Sequence, residues 1–129
     1  MNICLISREY PPETGWGGIG TYTHSLAHGL AENGQGVYVL SYATGEEPVY
    51  KDGKVTVHRV KPKGMRGMWR LNSFFPVSPV LYSRRIAARL AELVSTCKID
   101  IVETPEWQAE IFWYLFKKIN TGSTAVSYS

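Results

Sequence analysis

Acidic residues are missing from one long stretch of this chain. Between Gly53 and Ala91 there is no Asp or Glu, yet nine of the fourteen basic residues lie there. Elsewhere five basic groups accompany eleven acidic ones, so a block of +9 adjoins sequence of net −6. Cysteine is scarce as well. Cys4 sits in an apolar run and Cys97 far from it, which suggests reduced thiols in a cytoplasmic protein rather than a disulfide framework. No run approaches the roughly 18 apolar residues that a membrane-spanning helix needs. Met1-Asn2 leads straight into an apolar segment without a basic n-region or cleavage site, so no secretory signal is expected. No serine stands in a nucleophile elbow, and no catalytic triad can be assembled. RNA-recognition, zinc-finger and helix-turn-helix patterns are absent and the net charge is only +3, so nucleic acid is not an expected partner.

What is present reads as one α/β domain. A chain of 129 residues can bury a core, and 44% hydrophobic with 19% charged residues is ordinary for a globular protein. Asn2–Ser7 is a short apolar strand. Ile19, Tyr22, Thr23, Leu26 and Leu30 recur at helical spacing, which predicts a helix over 18–32 that Asn33-Gly34 terminates. Gly36–Leu40 is a second strand, followed by a polar loop. Lys54–Val60 alternates as a third, read with its three valines on one face and His58 towards solvent. A helix is expected over 79–97, with Ile86, Leu90, Leu93, Val94 and Cys97 as its apolar face. A strand at 99–103, a helix at 106–119 and a strand at 122–128 follow. Alternating strands and helices imply a Rossmann-like parallel sheet with helices on both faces.

The sharpest local signal is a glycine cluster at a helix start. Bare backbone N–H groups and the positive end of the helix dipole attract an anion there. Gly15-x-Gly17-x-x-Gly20 satisfies the dinucleotide fingerprint literally. That fingerprint needs its first glycine directly after the strand and an acidic residue closing the next one. Here seven residues, two of them adjacent prolines, separate Ser7 from Gly15, and the next strand, Gly36–Leu40, runs on through Thr44 with no carboxylate before Glu46. A nicotinamide or flavin oxidoreductase is therefore disfavoured. The alternative that the glycines serve only turning and close packing stays open.

The order Glu-Tyr-Pro-Pro, Gly-Gly-Ile-Gly-Thr-Tyr and Leu26–Gly34 resembles the N-terminal domain of glycosyltransferase family 4, and Asp100–Trp107 is similar to a later strand and loop of that family. The resemblance spans Met1 to about Lys118, with the basic middle matching only loosely. It implies a GT-B fold and retaining transfer of a sugar from a nucleotide-sugar donor to a carbohydrate or lipid-linked acceptor. The donor is a substrate, and no cofactor or metal is expected. The family's second, donor-binding domain and an N-domain histidine after its fifth strand have no counterpart in the sequence, so residues 1–129 are expected to be an incomplete acceptor-side domain, inactive alone. A non-catalytic module binding an anionic or carbohydrate ligand is the alternative.

The resemblance also implies where a site would lie. Gly17 and Gly18 correspond to the family's donor-diphosphate loop. Glu9 and Tyr10 in the first loop, and Glu106 and Trp107 after the 99–103 strand, are candidate acceptor-cleft residues, with helix-end packing as their alternative. Lys63, Arg66, Trp69 and Arg70 mix cations with aromatics and suit an anionic membrane surface or acceptor, as a peripheral contact at the inner face of the membrane. Their alternative is a solvated loop. His24 and His28 stand four apart on one helix, but the sequence places no third metal ligand near them.

Overall fold

The computed structural model describes residues 1–14, 17–61, 77–104 and 127–128, the backbone alone at 77–80 and 127–128. Its elements are β1 (Asn2–Ile6), α1 (Gly18–Glu32), β2 (Gly36–Tyr42), β3 (Val49–Asp52), β4 (Val55–Val60), α2 (Val77–Cys97), β5 (Ile101–Glu103) and β6 (Ser127–Tyr128). They form one sheet in the order β3-β4-β2-β1-β5-β6. Every neighbouring pair is parallel except β3–β4. Parallel strands covered on both faces must be apolar throughout rather than alternating, which accounts for the run at β1. Ile3 and Leu5 point to the α1 side, with Val37, Val39, Val55 and Val57. Cys4 and Ile6 point to the α2 side, with Leu40, Ile86, Leu90 and Leu93. Each such side chain contributes about 1.5–3 kcal/mol relative to exposure. Both cysteines are free, and burial, aided by the charge of Cys97, pushes the Cys4 thiol up to about 12.

Helix α1 ends where the sequence predicts. Gly34 takes φ +84, the Gln35 N–H donates to the Leu30 carbonyl, and the Gly34 N–H donates to that of Ala31, both at 3.2 Å. This pair of bonds is a Schellman closure, which favours glycine at the left-handed position. The buried stripe differs from the predicted one. Gly20, Thr23, Ala27 and Ala31 lie against the sheet, whereas Tyr22 is 57% exposed. Small residues let the helix axis approach the strands, and Leu26 and Leu30 wedge in from the flanks. The α2 face is as predicted, with Val94 and Cys97 packing at the border of the core.

Two expectations fail around β4. The segment read as a polar loop contains β3, a hairpin partner of β4 joined through Gly53 at φ +59. Its two-residue loop is Gly53-Lys54, and a glycine at the first central position is the sequence signal for such a turn. The three valines do not share a face: Val55 and Val57 pack towards α1, but Val60 packs towards α2. A period of two puts an even-numbered residue opposite the odd ones. His58 consequently lies half-buried on the α2 side, beside Tyr38, instead of facing solvent. The 106–119 helix, the 122–126 part of the last strand and the aromatic-basic segment fall outside the described residues. No helix among those described is long and apolar enough to cross a membrane.

His58 makes stability depend on pH. Burial, reinforced by the Arg89 charge, lowers its pKa against an opposing pull from Glu92. The folded state therefore resists a proton that the unfolded chain accepts near pH 6.5. Its contribution is complete above that pH and is lost as pH falls towards the lower folded value, by no more than about 1.4 kcal/mol per pH unit for one proton. Urea denaturation at pH 7.5 and 5.5 should show a smaller acid loss in His58→Gln than in the parent. Equal losses would reject this role.

Candidate functional site at the carboxyl rim

The parallel strands release their chains at one edge, and the loop from β1 to α1 lies there. Its first residue is still tied to the sheet. The Ser7 N–H donates to the Leu40 carbonyl at 3.0 Å, and Ser7 Oγ donates to the Glu9 carbonyl at 2.9 Å. Tyr10 then turns inward and is completely buried. Thr14 closes the bend, accepting the Tyr10 N–H at 2.7 Å and donating its hydroxyl to the Tyr10 carbonyl at 3.0 Å.

Beneath this bend lies Arg59, 1% exposed, sent up from β4. Its Nη2 donates to the Tyr10 carbonyl and the Tyr50 hydroxyl, both at 2.8 Å. Its Nη1 donates to Ser41 Oγ at 3.1 Å and Thr14 Oγ1 at 3.4 Å, while Nε stands 3.1 Å from Glu13 Oε2. The rings of Tyr10 and Tyr50 flank the guanidinium at 5.7 Å. A buried guanidinium is tolerable only when its fork of donors is satisfied, and here each nitrogen has partners. Glu13 also accepts the Thr44 N–H and hydroxyl, both at 2.9 Å, tying the first loop to the one after β2. Partial burial would raise its pKa, but the Thr44 bonds and the Arg59 charge outweigh that and hold the carboxyl below the usual range. Arg59 thus belongs to the loop's foundation, not to a cationic surface. Arg85 is likewise engaged, gripping both oxygens of Glu47 at 2.7 and 2.8 Å.

The loop delivers Gly17 as the N-cap of α1, with φ −67 and ψ 173 and no side-chain cap. Gly17 and Gly18 are both exposed. A Cβ on Gly17 would stand 2.5 Å from Glu9 Oε2, whereas one on Gly18 would meet nothing within 4 Å. The Glu9 carboxylate accepts the Gly20 N–H at 3.3 Å and so lies against the positive end of the helix. No acidic residue occupies the first turn itself.

This rim stands in a chain that matches Glycosyltransferase Family 4 over residues 16–126. The chain belongs to that family. A search among curated proteins gives no match. Solved structures with a similar fold include sucrose-phosphate synthase from Thermosynechococcus elongatus, at a TM-score of 0.66 and 16% identity over 98% of this chain and 31% of that one. Another is the catalytic domain of starch synthase IV from Arabidopsis thaliana bound to ADP and acarbose, at a TM-score of 0.58 and 17% identity over 98% and 33%. The chain therefore spans about a third of the length of either structure. The family match and the similar structures agree on a Rossmann-like unit of the GT-B type.

Within this family 4 domain the predicted site residues separate. Gly17, Gly18 and Glu9 gather at the start of α1. Tyr10 does not face a cleft. Its ring supports the loop from below and its hydroxyl donates to Asp52 at 2.7 Å, because the apolar α1 side of the sheet draws the ring inward. Burial, then the hydrogen bond to Asp52, pushes its phenol pKa far up. Glu106, Trp107, Lys63, Arg66, Trp69 and Arg70 lie outside the described residues. Two rim residues escaped the sequence reading. Tyr22 donates its hydroxyl to Glu103 Oε1 at 2.9 Å, joining the exposed first turns of α1 to the carboxyl end of β5. The rule that ligands meet the carboxyl ends of strands would have flagged Glu103. Its hydrogen bond and charge raise the Tyr22 pKa.

The histidine pair of α1 also has company that the sequence reading did not supply. Asp52, carried in by the β3–β4 hairpin, places Oδ2 at 2.9 Å from His28 Nε2 and 3.4 Å from His24 Nε2. Burial would raise the Asp52 pKa, but hydrogen bonds from His28 and Tyr10 and the imidazole charges more than offset it, holding the carboxyl low.

Proposed function

We propose that this chain is the acceptor-side domain of a retaining glycosyltransferase, moving a sugar from a nucleotide-sugar donor to a carbohydrate or lipid-linked acceptor. The observation that carries the reading is the exposed Gly17-Gly18 backbone at the start of α1, on the rim where parallel α/β sheets bind ligands. A donor diphosphate leaving with developing negative charge would be stabilised by backbone N–H groups and the helix dipole, with no cofactor or metal needed for that step. The donor itself would be held by a second domain closing over the rim, and this chain alone is expected to transfer nothing. Glu9 would then have to turn aside, since its carboxylate occupies the position an approaching phosphate favours. That same occupancy supports a second reading, in which the protein caps its own helix and binds an anionic or carbohydrate ligand elsewhere without chemistry.

The discriminating experiment uses a protein that joins this chain to a donor-binding half. Offered a panel of nucleotide sugars and acceptors, it should release nucleoside diphosphate and form product with the donor's anomeric configuration. No release from any donor, in a folded protein, would sink the proposal. Presenting a lipid-linked acceptor in anionic or neutral vesicles also tests the basic segment around Lys63, Arg66, Trp69 and Arg70. A faster rate on anionic vesicles is expected, and equal rates would remove the membrane contact from the reading.

A further inference from the structure

The imidazoles of His24 and His28 and the carboxylate of Asp52 form a cluster that sugar transfer does not use. One ligand atom from each lies within 4.8 Å of the others. The two histidines are one turn apart on α1, which puts both rings on one face, and their centroids stand 4.3 Å apart. Asp52 reaches them because the hairpin turns tightly at Gly53, at φ +59, a conformation that glycine adopts freely. All three side chains are about a third exposed or slightly less, at 28%, 30% and 33%, so an ion from solvent can reach them.

The three groups converge on one point. A single oxygen, Asp52 Oδ2, faces the Tyr10 hydroxyl at 2.7 Å, His28 Nε2 at 2.9 Å and His24 Nε2 at 3.4 Å. Tyr10 and His28 hydrogen-bond to that oxygen, while His24 Nε2 stands at ion-pair distance from it. A cation would hold the three groups together, because it takes a lone pair from each of them. With zinc bonds of about 2.0–2.1 Å, tetrahedral ligand atoms stand roughly 3.3 Å apart, close to the observed 3.4 Å and a small opening from 2.9 Å. The Tyr10 hydroxyl would then act as outer-shell support that orients the Asp52 carboxylate, and the Tyr10 ring already packs on His24 at 5.5 Å.

We propose that His24 Nε2, His28 Nε2 and Asp52 form a site for a divalent transition cation of the zinc type, with solvent in the fourth position. Its role is mechanical. The ion pins the middle of α1 to the β3–β4 hairpin, steadying the helix whose first turn carries Gly17 and Gly18. The site does not depend on the transferase reading and survives or fails separately from it.

The test is calorimetric titration of Zn2+ into the chelator-treated chain, paired with Co2+ absorption in the visible. One equivalent of Zn2+ should bind, with an intense tetrahedral Co2+ spectrum and a rise in Tm. His28→Gln and Asp52→Asn should each weaken binding about tenfold or more, and Tyr10→Phe, which keeps the buried ring, by about 10–100-fold. Circular dichroism establishes that each variant is folded. Absence of saturable binding in the parent would overturn the site. Unchanged affinity in both folded ligand variants would overturn it equally, by assigning the ion to other groups.

Discussion

The Gly17→Val substitution is expected to lower kcat by about 100-fold or more in a complete family 4 enzyme containing this chain, the scale set by removing a backbone or side-chain donor from a charge-stabilising site. The cause is steric, not conformational. With φ −67 and ψ 173, position 17 suits any residue's backbone. The added Cβ would stand 2.5 Å from Glu9 Oε2, the end of a flexible side chain that an incoming phosphate must displace in any case, so the loss comes from the branched side chain covering the exposed amides. Gly18→Ala is the companion variant. Its methyl group meets nothing within 4 Å, so folding should be unchanged and any kinetic loss reports on a ligand that approaches there. Steady-state kinetics on both variants, with Tm as the folding control, decides the matter. Wild-type kcat in a folded Gly17→Val protein would mean that the helix start takes no part in transfer.

The Arg59→Met substitution should cost about 3 kcal/mol of folding stability and lower Tm by roughly 10 °C for a domain of this size. Methionine fills similar volume but donates nothing. The Tyr10 carbonyl and Ser41 hydroxyl lose a charged donor in the interior, and Glu13 loses its cation. Because the β1–α1 loop rests on these bonds, Gly17 should shift with it, so activity should fall together with stability. Arg59→Lys should rescue little, since a single ammonium cannot reproduce the planar fork that meets Tyr10, Tyr50, Ser41 and Glu13 together. Urea denaturation of both variants gives the measurement. A loss under about 1 kcal/mol would show that Arg59 is an incidental passenger in the core.

Residues near each other in the chain wrote much of this fold openly. The apolar β1 run, the Asn33-Gly34 stop, the α2 stripe and the glycine cluster depend on φ/ψ preference and side-chain periodicity, both local properties. The order of these same segments carries the resemblance to family 4, which the match over 16–126 supports. The Gly53-Lys54 turn that creates β3 is equally local.

Long-range placement followed other rules. Charge patterning assigned Arg59 to a basic block because a side chain's sequence neighbours say nothing of what it meets 49 residues away, at the Tyr10 carbonyl. His24 and His28 were visible as a pair, but their carboxylate arrives only through strand pairing between β3 and β4. Tyr10 offered an aromatic ring and a hydroxyl to any reading, and the packed α1 side of the sheet decided that both turn inward. The sequence thus determined the elements, their order and the family, since those need only neighbours a few residues apart. Which polar groups meet was decided by the tertiary structure, because desolvation forces Arg59 to find partners wherever the sheet brings them, and strand pairing carries Asp52 to the histidines.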